Sequence, residues 1–378
     1  RSLLLGAGVL ETRRYVPENN LALGLERWGD KLFISVPRFK TGVYSTLNYI
    51  QLDAKNNNTK APELIPYPNL EMNTLGETRG WPPKLVSVCR IRADTCDRLW
   101  AIDSGTIDLA SQPKQVSPPK IMVFDLKSDQ LLFSYPLKDK TDYNERSLFP
   151  TITVDVTSAN CDHAFAYLPD VYNYNLVVYS MQTNDTHTVT HNYFHFDPLA
   201  GDFSNSGFHW QWQDGVFGLA LSPVDREGFR IVYFHALAST MEFAISSKYL
   251  QNTTLVGDNA RAFKVLGNRG VNGQSSTSFL DEETGVLFYT LVNRNAVGCW
   301  NTFKGEEYET KSLGVVAEDE ETMTFPNDLK VDKKGTLWVL STPLPEFFFS
   351  NLNPKNTNFR IFTAPVRQAI KGTVCDEI

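Results

Sequence analysis

One hydrophobic pattern repeats six times along this chain. An apolar strand is followed by a turn bearing Gly or Asp, a second strand rich in aromatics, and a third strand near a Tyr, Phe or Trp. The second strands stand out most: residues 31–36 (KLFISV), 98–102 (RLWAI), 164–168 (AFAYL), 230–234 (RIVYF), 286–290 (VLFYT) and 336–340 (TLWVL). They recur roughly every 50–70 residues, close to the period of propeller blades. Val, Ile, Tyr, Phe and Thr fill the short alternating runs, and helical periodicity is almost absent. The pattern predicts an all-β, six-bladed β-propeller with a central channel, built as a single domain. The predicted blades span about 21–53, 84–138, 151–192, 215–250, 275–312 and 324–365. Polar stretches 54–82 and 251–274 read as loops.

A closed ring of blades dictates where a ligand binds: on the axis, at one face. Residues just after each second strand should ring that mouth: Arg38, Asp103, Asp170, Ser239, Asn293 and Thr342. The starts of the first strands should add Asp155, Phe217, Phe325, Asn327 and Asp328. A polar ring with aromatic members suits a small ligand carrying both an aromatic ring and a cationic or hydrogen-bonding group. Each of these residues also has a plainer reading, as a cap on a strand end.

For catalysis, Asp103 and Asp170 are candidate paired carboxylates, and with Asn293 they could anchor a hard cation. Ser239 and Thr342 dilute such a ligand set, so no metal is expected. His209 and His235 sit near the predicted channel face and are the better acid–base candidates, although His235 also reads as core. His191 and His195 have i,i+4 spacing but lie in strand and loop, without partner ligands. Gly267–Gly270 is a turn with no helix after it, so no phosphate loop and no cofactor are expected.

Composition narrows the class further. A net charge of −7, without a basic–aromatic patch, argues against nucleic acid as a partner. No apolar run is long enough to span a membrane. The chain begins at Arg1 and its first residues are too short for a full signal peptide, which reads as a mature or trimmed terminus. Three sequons, at Asn57, Asn184 and Asn252, lie in polar turn-like stretches and point to a secreted glycoprotein. Of five cysteines, Cys96 and Cys161 each open the turn before a second strand. Equivalent turns of neighbouring blades lie side by side, so these two should pair. Cys299–Cys375 would tie the C-terminal tail to blade five, leaving Cys89 as a buried thiol.

Several strings together resemble the insect yellow / major royal jelly protein family: Pro17–Asn20, Asp30–Arg38, Cys96–Gly105, Gly215–Gly218, Asn295–Asn301 and Thr357–Ile361. The resemblance runs nearly end to end and is closer to the yellow branch. It implies a secreted six-bladed propeller with the same four cysteines paired. Some relatives in this family bind biogenic amines such as serotonin in the channel. Others are linked to cuticle pigmentation, and some are assigned dopachrome conversion. The positions matching the amine contacts are Phe325, Asn327, Thr342 and Leu344. Only Phe325 is kept in kind, and Leu344 lacks the expected ring, which speaks against tight amine binding.

Three functions follow as expectations. One is a secreted protein holding a small catechol- or indole-type molecule, an aromatic amine among them. Another is a dopachrome isomerase of melanin synthesis. The last is a cuticle or storage protein with no ligand. Oligomeric state is not legible in the chain.

Overall fold

The computed structural model describes residues 15–53, 61–76, 82–252, 254, 261–305 and 307–376, with the backbone of Leu4–Leu5. The sequon at Asn57 lies outside the described residues. Six sheets follow one another along the chain, their strands pairing antiparallel with the one before, except that Leu4–Leu5 pairs in parallel with Glu63–Leu64 of the first. Their innermost strands are Gly24–Trp28, Val88–Ala93, Thr153–Asp155, Val216–Leu221, Ser278–Asp281 and Pro326–Val331. The second strands, from Lys31–Ser35 to Thr336–Ser341, coincide with the six aromatic runs. The protein is a six-bladed β-propeller.

The central strands of a blade are covered on both faces by neighbouring blades. Val286–Leu291 is accordingly apolar and buried throughout, apart from the buried Thr290. The outer strand Asp185–Thr190 instead meets water, with only Thr186 and Val189 buried. Two outer strands fall where loops were expected. Glu63–Pro66 completes blade one and Lys264–Asn268 completes blade four. Both are short, one ending in Pro and one holding Gly, so their sequences look like connections, and Leu4–Leu5 pairs outside Glu63–Pro66. Among the described residues the sixth sheet has three strands.

The Gly- or Asp-bearing turns have a conformational cause. Gly29, Asp97, Gly285 and Gly335 sit between first and second strands with φ between 55° and 70°. Gly adopts that left-handed region freely and Asp tolerates it better than most residues. A second device recurs in two blades. Asp94 accepts from the Arg98 amide and from Trp100 Nε1 at 2.8 Å. Asp332 does the same with the Thr336 amide and Trp338 Nε1 at 2.9 Å. Each aspartate locks the turn of its blade to the aromatic of the second strand.

The ring closes between the last blade and the first. Leu25 N donates to Asp328 at 2.9 Å, Asn327 Nδ2 donates to the Leu23 carbonyl at 2.8 Å, and Arg27 pairs with Asp332 at 2.6 Å. Disulfides Cys96–Cys161 and Cys299–Cys375 join blades two and three and tie the C-terminal tail to blade five. Cys89 is a free, buried thiol.

Candidate functional site

A cavity of about 320 Å³ opens on the axis at the face where the innermost strands begin. Blade four contributes Phe217, blade five Ser276, and blade six Phe325 and Asn327. Leu109 and Ala110 reach in from the blade-two loop, and Tyr172 from the end of the second strand of blade three. The short helix Leu344–Phe349 and the segment after the hairpin of Asp202–Asn205 and Phe208–Gln211 roof the opening. Their aromatics interlock: Trp212 lies edge-on to Phe325 and Phe348, at 6.2 and 6.3 Å between centroids, and Phe39 meets Phe348 at 6.0 Å.

Asp214 is the charged residue in this lining. It is only 7% exposed, and no hydrogen bond to its carboxylate occurs among the described residues. Burial alone pushes its carboxyl up to about 7. The phenol of Tyr172 is raised as well, first by burial and then by the Asp214 charge. Asp214 is held by backbone: its carbonyl accepts from Ala238 N, and Gly215 N donates to the Val171 carbonyl.

The floor of the cavity is a layer of charge. Arg90 is fully buried beneath Phe217, its guanidinium 5.3 Å from the ring centroid. It donates to the carbonyls of Ser276, at 2.8 Å, and Asn327. Below it Asp328 pairs with Lys330 at 2.6 Å. A second cavity, of about 330 Å³, lies beyond this layer at the far ends of the innermost strands. Its Arg92, Arg230 and Lys330 are already paired with Glu26, Asp155 with Glu282, and Asp328.

The sequence-predicted residues divide sharply. Phe217, Phe325, Asn327 and Leu344 line the axial cavity together. Asp103 does not. It is wholly buried, paired with Lys120 at 2.7 Å, and accepts from the amides of Val86, Ser87 and Gly105. Burial would raise its carboxyl, but Lys120 and the amides outweigh that and hold it low. Asp170 likewise caps a turn, accepting from Leu148 N, Tyr172 N, Asn173 N and Asn173 Nδ2. Thr342 is buried behind Phe325, whose carbonyl accepts from its amide. His209 and Asn293 meet in a shallow depression outside the hairpin, apart from the axis. Asp155 ends its strand at the opposite face, bound to Arg230 and Tyr167. His235 is core: Nδ1 meets Glu242 at 2.9 Å and Glu242 pairs with Arg269 at 2.6 Å.

Asp214, Trp212, Tyr172, Phe39 and Phe348 escaped the sequence reading. The one available signal was the string Trp210–Gly215, where an aspartate follows an aromatic run immediately before a first strand.

The molecule is thus a propeller with a single-carboxylate aromatic cavity on its axis. Residues 86–375 match the family model of the major royal jelly proteins, and the chain belongs to that family. It is 38% identical over 364 residues to protein yellow of Drosophila melanogaster, covering 96% of this chain and 65% of that protein. Protein yellow of Drosophila subobscura is also 38% identical, with 96% and 62% covered. The chain therefore spans just under two thirds of the length of these relatives. Among solved structures, virginiamycin B lyase from Staphylococcus aureus aligns over 86% of this chain and 93% of its own, at TM-score 0.45 and 10% identity. A likeness that low bears on neither mechanism nor substrate.

Proposed function

We propose that this protein binds a small catechol- or indole-type amine in its axial cavity and acts outside the cell, in pigmentation or amine handling. The observation that carries this reading is Asp214: a buried carboxylate without a partner among the described residues, set in a cavity walled by Phe39, Trp212, Phe217, Phe325 and Phe348. A buried charge without a partner is costly, and a ligand cation relieves that cost while its ring packs on the aromatics. The cavity volume suits one such molecule. The ring missing at Leu344 is offset by Trp212 and Phe348. Two disulfides support an oxidising compartment, and Asn184 and Asn252 are exposed, as glycan acceptors must be. Calorimetric titration with dopamine and serotonin tests the reading. One-to-one binding that weakens in Asp214→Asn is expected, and absence of heat for every catecholamine and indoleamine overturns it.

A second reading, dopachrome isomerisation, draws on the same carboxyl. Moving a proton next to a carbonyl or iminium needs a group that titrates near neutrality, and Asp214 is pushed to about 7. Tyr172, kept neutral, is the neighbouring hydroxyl. Under this reading purified protein speeds the loss of dopachrome absorbance and Asp214→Asn abolishes that gain. A gain that persists in the variant removes Asp214 from the reaction, and no gain from the wild-type protein removes the isomerase.

A further inference from the structure

We propose that Asp214 makes the axial cavity a charge filter, admitting aromatic ligands that carry a cation and shutting out those that also carry a carboxylate. The inference rests on the reading of the axial cavity as an aromatic-amine site and sharpens it to a ligand class; it stands against the second reading, because dopachrome keeps the carboxylate of its parent amino acid.

A carboxylate entering this space would meet Asp214 and find little to receive it. No Lys or Arg is among the residues lining the cavity. The cations of the surrounding elements are committed elsewhere. Arg90 lies under Phe217 and donates to two carbonyls. Arg38 is buried and spends its guanidinium on the carbonyls of Val43, Leu85, Val86, Tyr44 and Asn73. Lys40 donates to the Phe347 carbonyl and lies over that ring. The neutral donors are occupied too. Ser276 Oγ donates to the carbonyls of Pro326 and Asn327, and the Asn327 amide donates to Leu23. The neutral donors left in the lining are the Tyr172 hydroxyl, which lies within the electrostatic reach of Asp214, and the Trp212 indole N–H.

A ligand ammonium is in the opposite position: Asp214 is desolvated and unpaired, so the cation supplies its missing partner. An aromatic amino acid carries the same ring and ammonium plus a carboxylate that must be stripped of water beside a like charge. The molecule that fits is therefore an arylethylamine. The reaction that supplies it belongs to the class that removes carbon dioxide from an aromatic amino acid.

The test compares dopamine, L-DOPA and L-DOPA methyl ester by calorimetry on the whole protein, with serotonin and 5-hydroxytryptophan as a second pair. Dopamine should bind at least on the order of 100-fold more tightly than L-DOPA, since like charges brought together in a buried site discriminate strongly. The methyl ester keeps the bulk and the ammonium but loses the negative charge, and it should recover most of the affinity. In Asp214→Asn the gap between amine and amino acid should narrow at least tenfold. L-DOPA binding within fivefold of dopamine overturns the filter while leaving the cavity a ligand site. An ester as weak as the acid shows exclusion by shape and also overturns it. Failure of both amines to bind brings down the underlying reading as well. The wild-type comparison of acid and ester stands even if the variant folds poorly.

Discussion

Tyr174 leaves no room for a side chain at Gly215: a Cβ there would lie 2.8 Å from Tyr174 Cδ1, with the carbonyls of Phe194 and Val171 at 2.8 and 2.9 Å. This close approach seats the chain just before blade four against blade three, and so fixes Asp214 at the cavity wall. Gly215→Ala should cost about 1–3 kcal/mol, because two of the three clashing atoms are backbone and cannot swing away. Amine affinity should fall with it. Chemical denaturation together with calorimetry checks both, and a variant of wild-type stability would show that the segment yields easily.

Asp214 should make stability and binding depend on pH in opposite senses. Its carboxyl is raised by burial to about 7, against an ordinary value of 3.8. Between those values the folded state holds a proton that the unfolded chain has lost. The group therefore costs nothing below about pH 4, and its penalty grows as pH rises through 7. At about 1.36 kcal/mol per unit, the full penalty is on the order of 4 kcal/mol above pH 8. Asp214→Asn should unfold at higher temperature than wild type at pH 8, with the difference vanishing near pH 4. Amine affinity should do the reverse, falling about tenfold for each unit below pH 7 as the carboxylate is lost. Thermal melts and titrations at pH 5, 7 and 8 give both curves.

Asp103 should behave as a structural residue. Asp103→Asn strands the buried Lys120 ammonium, and breaking a buried pair of this kind costs about 3–5 kcal/mol. The folded fraction should bind amine with wild-type affinity and stoichiometry. A lost binding site with unchanged stability would return Asp103 to the list of functional residues.

The disulfides should carry a measurable share of the stability. Cys96–Cys161 encloses a separation of 65 residues and Cys299–Cys375 one of 76. Each closure is worth about 4 kcal/mol in the chain-entropy account. Mass mapping without reduction should find these two pairs and an alkylatable Cys89 only after unfolding, since burial shields that thiol and pushes its titration up to about 12. Replacing both members of either pair by Ser should lower the denaturation midpoint. Alkylation of Cys89 in the native protein would contradict its burial.

Much of the site could be located before any coordinates. Blade register places Phe217, Phe325 and Asn327 at one mouth, the family resemblance adds Leu344, and all four line the cavity. The aspartates were harder. Asp103, Asp170 and Asp214 look alike in sequence, each at the end or start of a strand. What separates them is the supply of partners: amides and Lys120 for Asp103, four donors for Asp170, and none among the described residues for Asp214. Those partners come from chain segments whose positions depend on how blades meet.

The sequence by itself determined the six second strands, the ring, the face on which the axial cavity opens and the pairing of four cysteines. These follow from local rules: alternation of apolar residues, turns that need positive φ, and a repeat that neighbouring units share. Only the tertiary structure decided which carboxylate is free. The cost of a buried charge is set by every group around it, and in this cavity those groups converge from six blades, a helix and the segment after a hairpin.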